Sequence, residues 1–323
     1  MKNLTRSATI VACMMIYAVF ISSCVNIDRE SSSVLRLTAG TGQHTKLSGA
    51  TDGAESMLNT VSFYVFDESG NLEASTVWNK ETGASCEVRN GKKKIYAIVN
   101  CSLDVPPPSE DDLLSTISCI YDNSPDNLVM SGWSEEKIDD DKRIHILVRR
   151  LVGKVEVNEI KVALKEGSRT GISLNGLYLT NVNSSISFDG TKEALPSDWI
   201  NKAGYTRSEA DKLTYEECGT FIPDGSSHSV CHTFYACPNG TTVDSHSTEE
   251  FCARFTRLVL DTDAGYYRLD IPGILGNNSY VFKSVTITGE GGADPEAEET
   301  AANCAFELEV ADWEDGGTRT ERI

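Results

Sequence analysis

The stretch IHILVRRLVGKVEVNEI, from Ile144 to Ile160, is the longest β-type run in the chain and lies near its middle. Its isoleucine and valine residues occupy alternate positions on both sides of Gly153, which is the period of half-buried β-strands. Gly153 interrupts the run, so we expect a bulge or a close backbone approach there. The stretch therefore predicts core strands of a β-sandwich at a seam between two halves of the chain.

Short β-type segments separated by turn residues extend from this stretch in both directions. We predict strands at 34–38, 61–66, 72–78, 86–89, 95–99, 171–179, 184–188, 233–236, 251–260, 266–271, 280–288 and 305–310. Many short strands at this spacing are typical of β-sandwiches, and the long helical repeats of a parallel βαβ fold do not intervene. A chain of 323 residues is long enough for about two domains. The sequence therefore predicts an all-β fold with two β-sandwich domains, at 24–158 and 159–323.

Two local signals in the first half predict a hairpin and a helix. The dipeptide Asn90-Gly91 lies between two of the predicted strands, and it is the strongest short-range signal for a tight hairpin turn. Both central residues of such a turn need a positive φ. Ser109 follows three prolines and is placed to cap a short helix that continues to Ile117.

The N-terminus has the features of an export signal. Lys2 and Arg6 precede an apolar run at 8–21 that is too short to span a bilayer comfortably. The sequence ISSC that ends at Cys24 resembles the bacterial lipobox, in which the cysteine is acylated and becomes the first residue of the mature protein. We therefore expect a lipoprotein signal peptide at 1–23 and a lipid anchor at Cys24. An ordinary signal peptide with a chance cysteine is the alternative.

The chain is strongly acidic. It carries 29 basic and 48 acidic residues, for a net charge of −19, and removal of the signal peptide takes away two more basic residues. An excess of carboxylates repels phosphate backbones and anionic lipid surfaces, which excludes nucleic acid as an expected partner. Hydrophobic residues make up 40% of the chain, a composition typical of globular proteins.

Eight cysteines remain besides Cys13 in the leader and Cys24. They are Cys86, Cys101, Cys119, Cys218, Cys231, Cys237, Cys252 and Cys304. An even number in an exported chain permits up to four disulfides, whose connectivity the sequence leaves open. Free, buried thiols are the alternative, and the sequence alone does not choose between the two.

Signatures of catalysis and of cofactor binding are missing from the sequence. It contains no phosphate-binding GxxxxGK[ST] loop, no HExxH, no CxxC and no GxSxG motif. One cysteine and histidine cluster extends over 35 residues, but its spacings match no common zinc pattern. Its members are Cys218, His228, Cys231, His232, Cys237, His246 and Cys252. A Cys231 and His232 dyad is disfavoured because adjacent strand residues point to opposite faces. We expect no enzyme activity, no cofactor and no metal site.

Several motifs, in their order along the chain, resemble the FimA/Mfa-like fimbrillin family of surface lipoproteins from Bacteroidales. The order carries the resemblance, since each motif alone is weak. The motifs are the lipobox at Cys24, VSFYVF with its DESG turn (61–70), VMSG (129–132), VRRLVGKVEV (148–157), GNNSYV (276–281), VTITG (285–289) and VADW (310–313).

This resemblance implies two tandem transthyretin-like β-sandwiches and a role in a fimbria, or pilus. Family members are exported as lipoproteins to the outer membrane and cut after an arginine by a trypsin-like protease. They then polymerise by strand exchange, since removal of the first strand opens a groove for another strand. Carried onto this sequence, Cys24 is the palmitate-type lipid anchor. Arg36 is the first candidate for cleavage, with a mature subunit beginning at Leu37, and Arg29 is the second. An ordinary strand arginine at position 36 is the alternative.

The C-terminal region would supply the donor strand, with Phe306, Leu308 and Val310 as its apolar row. The tail at 314–323 departs from this pattern because it is polar. Either the whole C-terminal region swings out, or the chain does not donate a strand. Two alternatives therefore stay open, a tip or anchor subunit and a lipid-anchored, glycan-binding adhesin that does not polymerise. For a glycan-binding protein, exposed aromatic residues such as Trp78, Trp133 or Trp199 would have to line a groove.

Overall fold

The structure is a computed structural model. It describes residues 31–41, 54–79, 81–165, 169–202, 211–230, 232–245, 252–296, 303–313 and 318–321. Within these ranges nearly all regular structure is β, so the predicted all-β fold is confirmed. No helix in these ranges has the length and the apolar composition that a membrane crossing requires.

The described residues of the first half form nine strands and one short α-helix. The strands are β1 (Ser32–Gly40), β2 (Val61–Phe66), β3 (Leu72–Val77), β4 (Ala84–Arg89), β5 (Gly91–Val99), β6 (Ile117–Cys119), β7 (Met130–Ile138), β8 (Lys142–Leu147) and β9 (Arg149–Arg150). The helix α1 (Glu110–Ser115) begins as predicted, because the backbone N–H of Asp112 donates to the Ser109 hydroxyl oxygen over 3.2 Å.

Twelve strands lie in the described residues of the second half. These strands are β10 (Gly153–Val157), β11 (Glu159–Val162), β12 (Gly171–Thr180), β13 (Ser185–Ser187), β14 (Tyr215–Pro223), β15 (Ser227–Ser229), β16 (Thr233–Ala236), β17 (Thr256–Thr262), β18 (Gly265–Ile271), β19 (Asn278–Ile287), β20 (Cys304–Asp312) and β21 (Thr318–Glu321).

Four larger sheets contain most of these strands, two in each half. The β1 sheet has the order β4-β1-β8, and the β2 sheet has the order β3-β2-β5-β7-β9. In the second half, the β17 sheet has the order β14-β12-β17-β18. The β19 sheet has the order β15-β11-β19-β10-β16, with β20 paired to β19 and β21 paired to β20. A small β6-β13 pair joins the two halves.

Buried apolar side chains from all four sheets form one cluster. Every residue of β2 and of β17 is buried, so these two strands are covered on both faces. The side chains of β2 are mostly apolar, whereas β17 also buries Arg257, which forms ion pairs with Asp244 and Asp270. The cluster extends across the connection between the halves, where Leu151 and Val152 are buried.

The predicted hairpin at Asn90-Gly91 is wrong, although both of its strands exist. β4 pairs with β1, whereas β5 pairs with β2 and β7, so the chain passes from one sheet to another at this turn. Of the two residues, Gly91 has a positive φ of 133° and Asn90 does not. The amide of Asn90 instead bonds across the sheets, with its nitrogen donating to the Ser31 hydroxyl at 2.8 Å and to the Asp139 carbonyl at 2.9 Å. These longer-range bonds replace those of a local hairpin.

The central stretch from Ile144 to Ile160 contributes to β8, β9, β10 and β11, as the alternating pattern predicts. At Gly153 the predicted close approach is confirmed, because an added Cβ would lie 2.7 Å from the carbonyl oxygen of Leu275. The predicted boundary between 158 and 159 stays a prediction. Sheet pairing favours a boundary a few residues earlier, since Arg150 pairs in the β2 sheet and Gly153 pairs in the β19 sheet.

Candidate functional site

The first strand occupies an interior position in its sheet. Residues 32–37 of β1 pair antiparallel with β4, and residues 35–40 pair parallel with β8. The pairing continues beyond the strand, because the Val148 N–H donates to the Gly40 carbonyl over 3.0 Å. Loss of β1 would therefore leave unpaired backbone groups on two neighbouring strands, which form the two walls of a groove.

The side chains of β1 alternate between the core and solvent. Leu35 and Leu37 are 0% and 1% exposed, while Arg36 and Thr38 are exposed. Complete burial of a leucine side chain contributes about 1.5–3 kcal/mol. The two leucines together thus contribute about 3–6 kcal/mol of apolar burial, and their removal would expose the floor of the groove to water.

Arg36 lies on the outer face of the β1 sheet, opposite Arg143 of β8 and Ser85 of β4. Neither arginine forms an ion pair with a carboxylate in the part of the chain that the structure describes. Two like charges placed opposite each other across strands are destabilising. The backbone at Arg36 is paired on both sides, so β1 must open locally before a protease can reach the bond between Arg36 and Leu37.

The wall formed by β4 is anchored independently of β1. Glu73 of β3 forms an almost fully buried ion pair with Lys93 of β5, with 2.8 Å between Oε2 and Nζ. The other carboxylate oxygen of Glu73 accepts the backbone N–H of Arg89, at the end of β4, over 2.5 Å. Burial raises the pKa of Glu73, but these hydrogen bonds outweigh burial and hold the pKa below its usual value. The carboxylate stays ionised and links β4 to the β2 sheet.

The predicted donor row lies in β20, which is an integral strand of the β19 sheet. Leu308 is 3% exposed, and Val310 lies opposite Tyr280 of β19. The ring of Phe306 packs edge-on against Phe282, with 5.5 Å between the ring centroids. On its other side β20 pairs with β21 from Leu308 to Ala311, so part of its outer edge is covered by the chain itself.

The end of β20 is held by a cluster around Trp313, which we call the Trp313 cage. Tyr235 stacks on the indole ring from β16, and the Arg150 guanidinium lies 4.4 Å from the ring centroid. Lys154 lies 5.0 Å from the same centroid. Glu55 completes the cage, since one of its carboxylate oxygens accepts the indole N–H at 3.2 Å.

Glu55 connects the Trp313 cage to the first half of the chain. Its second carboxylate oxygen accepts the Tyr235 hydroxyl over 2.8 Å, and Lys154 lies 3.3 Å from the oxygen that faces the indole. Arg150 also donates to the backbone carbonyl of Glu55 over 3.0 Å. Because these residues are far apart in sequence, no local pattern could have predicted the cage. The motif VADW gave the position of Trp313 but not its partners.

The sequence-predicted site residues are not brought together. Cys24 and Arg29 lie outside the described residues, and Arg36 lies in the first half of the molecule. Phe306, Leu308 and Val310 lie in the β19 sheet of the second half.

The cysteine and histidine cluster has no common centre among the residues described, and no group of three side chains there has the arrangement of a metal site. His232 contacts Glu216 at 3.2 Å and packs against Phe234. Cys231 and His246 lie outside the described residues. Six of the described cysteines are free thiols, namely Cys86, Cys101, Cys119, Cys218, Cys237 and Cys304. Cys237 and Cys304 are buried, and burial raises the pKa of both thiols, that of Cys304 to about 12.

Comparison with known proteins identifies the fold. No protein-family model matches the chain, and no curated protein matches it. Among solved structures, a "putative cell adhesion protein" from Parabacteroides distasonis ATCC 8503 is similar, with a TM-score of 0.63 and 14% identity over 88% of this chain and 100% of that chain. A fimbrilin (fimA) from Porphyromonas gingivalis W83 is similar with a TM-score of 0.58 and 13% identity, over 88% of this chain and 98% of that chain.

The tip fimbrial protein Mfa3 from Porphyromonas gingivalis is similar with a TM-score of 0.52 and 11% identity, over 88% of this chain and 100% of the C-terminally truncated Mfa3. These similarities extend over nearly all of this chain, so both of its halves are included. Structural matches at sequence identities of this size establish a shared fold. They do not assign the roles of those proteins to this chain. The chain therefore has the fold of the FimA- and Mfa-like fimbrillins.

Proposed function

We propose that this protein is a structural subunit of a cell-surface fimbria that supports adhesion. In this proposal it is exported as a lipoprotein precursor, acylated at Cys24 and carried to the outer membrane. An arginine-specific protease then cuts after Arg36, or after Arg29 as second choice, and the subunits assemble by strand exchange. Its partners are other copies of itself or related subunits, with no enzymatic role, cofactor or nucleic acid.

The interior position of β1 is the observation that carries this proposal. A strand between two others can leave only if another strand replaces it, because both of its neighbours lose their backbone partners. Glu73 links β4 to the β2 sheet through contacts that do not involve β1. An incoming strand with alternating apolar residues would restore the burial now supplied by Leu35 and Leu37.

The test is unheated SDS gel electrophoresis of the purified chain before and after limited digestion with an arginine-specific protease, with the intact mass of the product. We expect a ladder of SDS-resistant multimers only after a cut at Arg36. The Arg36→Gln variant should not be cut at this bond, as its intact mass would show. The control variant Arg143→Gln should be cut there like the wild type. A cut at Arg36 that yields only monomers would contradict self-assembly.

A tip or anchor subunit is the second candidate function. It is favoured by the pairing of β21 with β20, since the tail then completes the subunit's own sheet instead of extending from it. Such a subunit would accept a strand without donating one. After cleavage it should bind a donor-strand peptide from a polymerising subunit, and its own 304–323 peptide should not form multimers with it.

A further inference from the structure

A groove of about 620 Å³ opens on the outer face of the β2 sheet. Trp133 of β7 and Tyr96 of β5 line it from the first half, and residues 188–190, after β13, line it from the second half. Its size is within the usual range of small-ligand sites. The wall from the first half belongs mainly to the β2 sheet, and residues 188–190 form a turn after β13. None of the residues that line the groove belongs to β1 or β20.

Trp133 is an exposed aromatic platform in this groove. It is 59% exposed, although it is among the largest apolar side chains of the protein. Its ring stacks on the buried Tyr96, with 6.2 Å between centroids and 27° between the planes. The indole is therefore held in place on one side and open on the other, an arrangement that suits a flat, partly apolar ligand. By contrast, Trp199 is buried and Trp78 packs against the core.

Two carboxylates line the groove and are held in place by neighbours. Glu110 accepts from the Tyr96 hydroxyl over 2.5 Å and from the Lys94 ammonium over 2.8 Å. Asp189 accepts from the backbone N–H and the hydroxyl of Thr191, at 3.0 and 2.7 Å. Each carboxylate oxygen has more than one lone pair, so both groups can also accept hydrogen bonds from the hydroxyl groups of a ligand. Their charge disfavours a ligand that is anionic along its whole length.

Arg149 lines the groove with a positive charge that is not paired with a carboxylate. It is exposed and forms no ion pair with any carboxylate in the residues that the structure describes. The same exposed row continues along β8 through Leu147, His145 and Arg143. A guanidinium is well suited to bind a carboxylate through two parallel hydrogen bonds.

We propose that this groove binds an acidic glycan, with one sugar ring stacked on Trp133 and a sugar carboxylate bound by Arg149. Hydroxyl groups of the same or neighbouring sugars donate to Glu110 and Asp189. A glycan with spaced carboxylates satisfies all three features, whereas an acidic peptide places its charges against the two carboxylates of the groove. The site does not depend on cleavage or assembly, so it is testable on the uncut chain.

The experiment is calorimetric titration of the uncut chain with a partly methyl-esterified oligogalacturonide, whose free carboxylates are spaced along the glycan. Its fully methyl-esterified form is the matched neutral ligand. Poly-glutamate serves as the acidic peptide. The variants are Trp133→Ala and Arg149→Gln, with Phe221→Ala as the control, since Phe221 is an aromatic residue on β14 with 54% exposure. Melting temperatures establish that each variant is folded.

We expect the oligogalacturonide to bind, with at least a tenfold loss of affinity for each groove variant and no change for Phe221→Ala. The methyl ester should bind at least tenfold more weakly, and added salt should weaken binding of the acid form. Absence of oligogalacturonide binding, or binding that both groove variants retain, overturns the proposal. Equal binding of the methyl ester overturns the role of Arg149, and tighter binding of poly-glutamate identifies an acidic peptide as the ligand instead.

Discussion

The indole ring of Trp313 lies nearly parallel to the phenol ring of Tyr235, with 6.1 Å between the ring centroids and 12° between the planes. The pair connects the end of β20 to β16, and Glu55 joins both residues to the first half of the chain. The C-terminal strand is thus fastened at the place where the two halves meet. Any release of β20 must first take Trp313 out of its cage.

Trp313→Ala should therefore loosen the C-terminal strand. Stacking and cation–π contacts of this kind contribute about 1–3 kcal/mol together. We expect a loss of that size in the free energy of unfolding, and faster amide hydrogen exchange at residues 304–313 than elsewhere in the β19 sheet. Phe221→Ala, which removes an exposed ring on another sheet, is the control. Unchanged exchange at 304–313 would mean that the cage does not hold β20.

Arg36→Glu should stabilise the uncut chain. The new carboxylate lies opposite Arg143 and replaces a cross-strand repulsion by an attraction of about 0.2–1 kcal/mol. We expect a higher melting temperature at low ionic strength and a smaller gain at high salt, measured by thermal unfolding. Arg36→Gln should give an intermediate value. The double variant with Arg143→Glu should lose the gain, and a double variant as stable as the single one would contradict a direct pair.

Glu73→Gln should destabilise the protein and reduce its sensitivity to acid. Removal of one partner leaves Lys93 buried without its counter-charge, which costs about 3–5 kcal/mol. The pKa of Glu73 is lower in the folded state than in the unfolded chain. Its contribution is therefore present above the unfolded pKa of about 4.3 and lost as the pH falls towards the folded pKa.

Urea unfolding at several pH values between 7 and 3 measures this effect. The wild type should lose stability across the window, and Glu73→Gln should lose less. Glu68→Gln is the matched control, because Glu68 and its partner Lys92 are both exposed, and its effect should stay below about 0.5 kcal/mol. Parallel pH curves for wild type and Glu73→Gln would exclude Glu73 as the titrating group.

The buried thiols should react slowly in the folded protein. Burial raises the pKa of Cys304 to about 12 and also raises the pKa of Cys237, so little thiolate forms at pH 8. We expect iodoacetamide to label the exposed Cys119 first and to reach Cys237 and Cys304 only in urea. Peptide mass mapping measures each site. Cross-linked cysteine peptides in the unreduced digest would show that disulfides form after all.

Local sequence predicted many strands of this protein but missed β14 (Tyr215–Pro223) and β15 (Ser227–Ser229). The predicted strands 61–66 and 233–236 coincide with β2 and β16, and Ser109 caps α1 as expected. Alternation of side chains and capping groups act over a few residues, so they are visible in the sequence. The same alternation made Phe306, Leu308 and Val310 recognisable as one face of a strand.

Only the tertiary structure shows which strands pair with one another. The turn at Asn90-Gly91 looks like a hairpin, yet β4 pairs with β1, and β5 pairs with β2 and β7. The opposition of Arg36 and Arg143 depends on the register of a parallel pair formed over more than a hundred residues of chain. The Trp313 cage and the Trp133 groove likewise combine residues from both halves. The sequence by itself determined many of the segments that become strands, whereas long-range burial and hydrogen bonding determined which strands become neighbours and where surfaces for other molecules form.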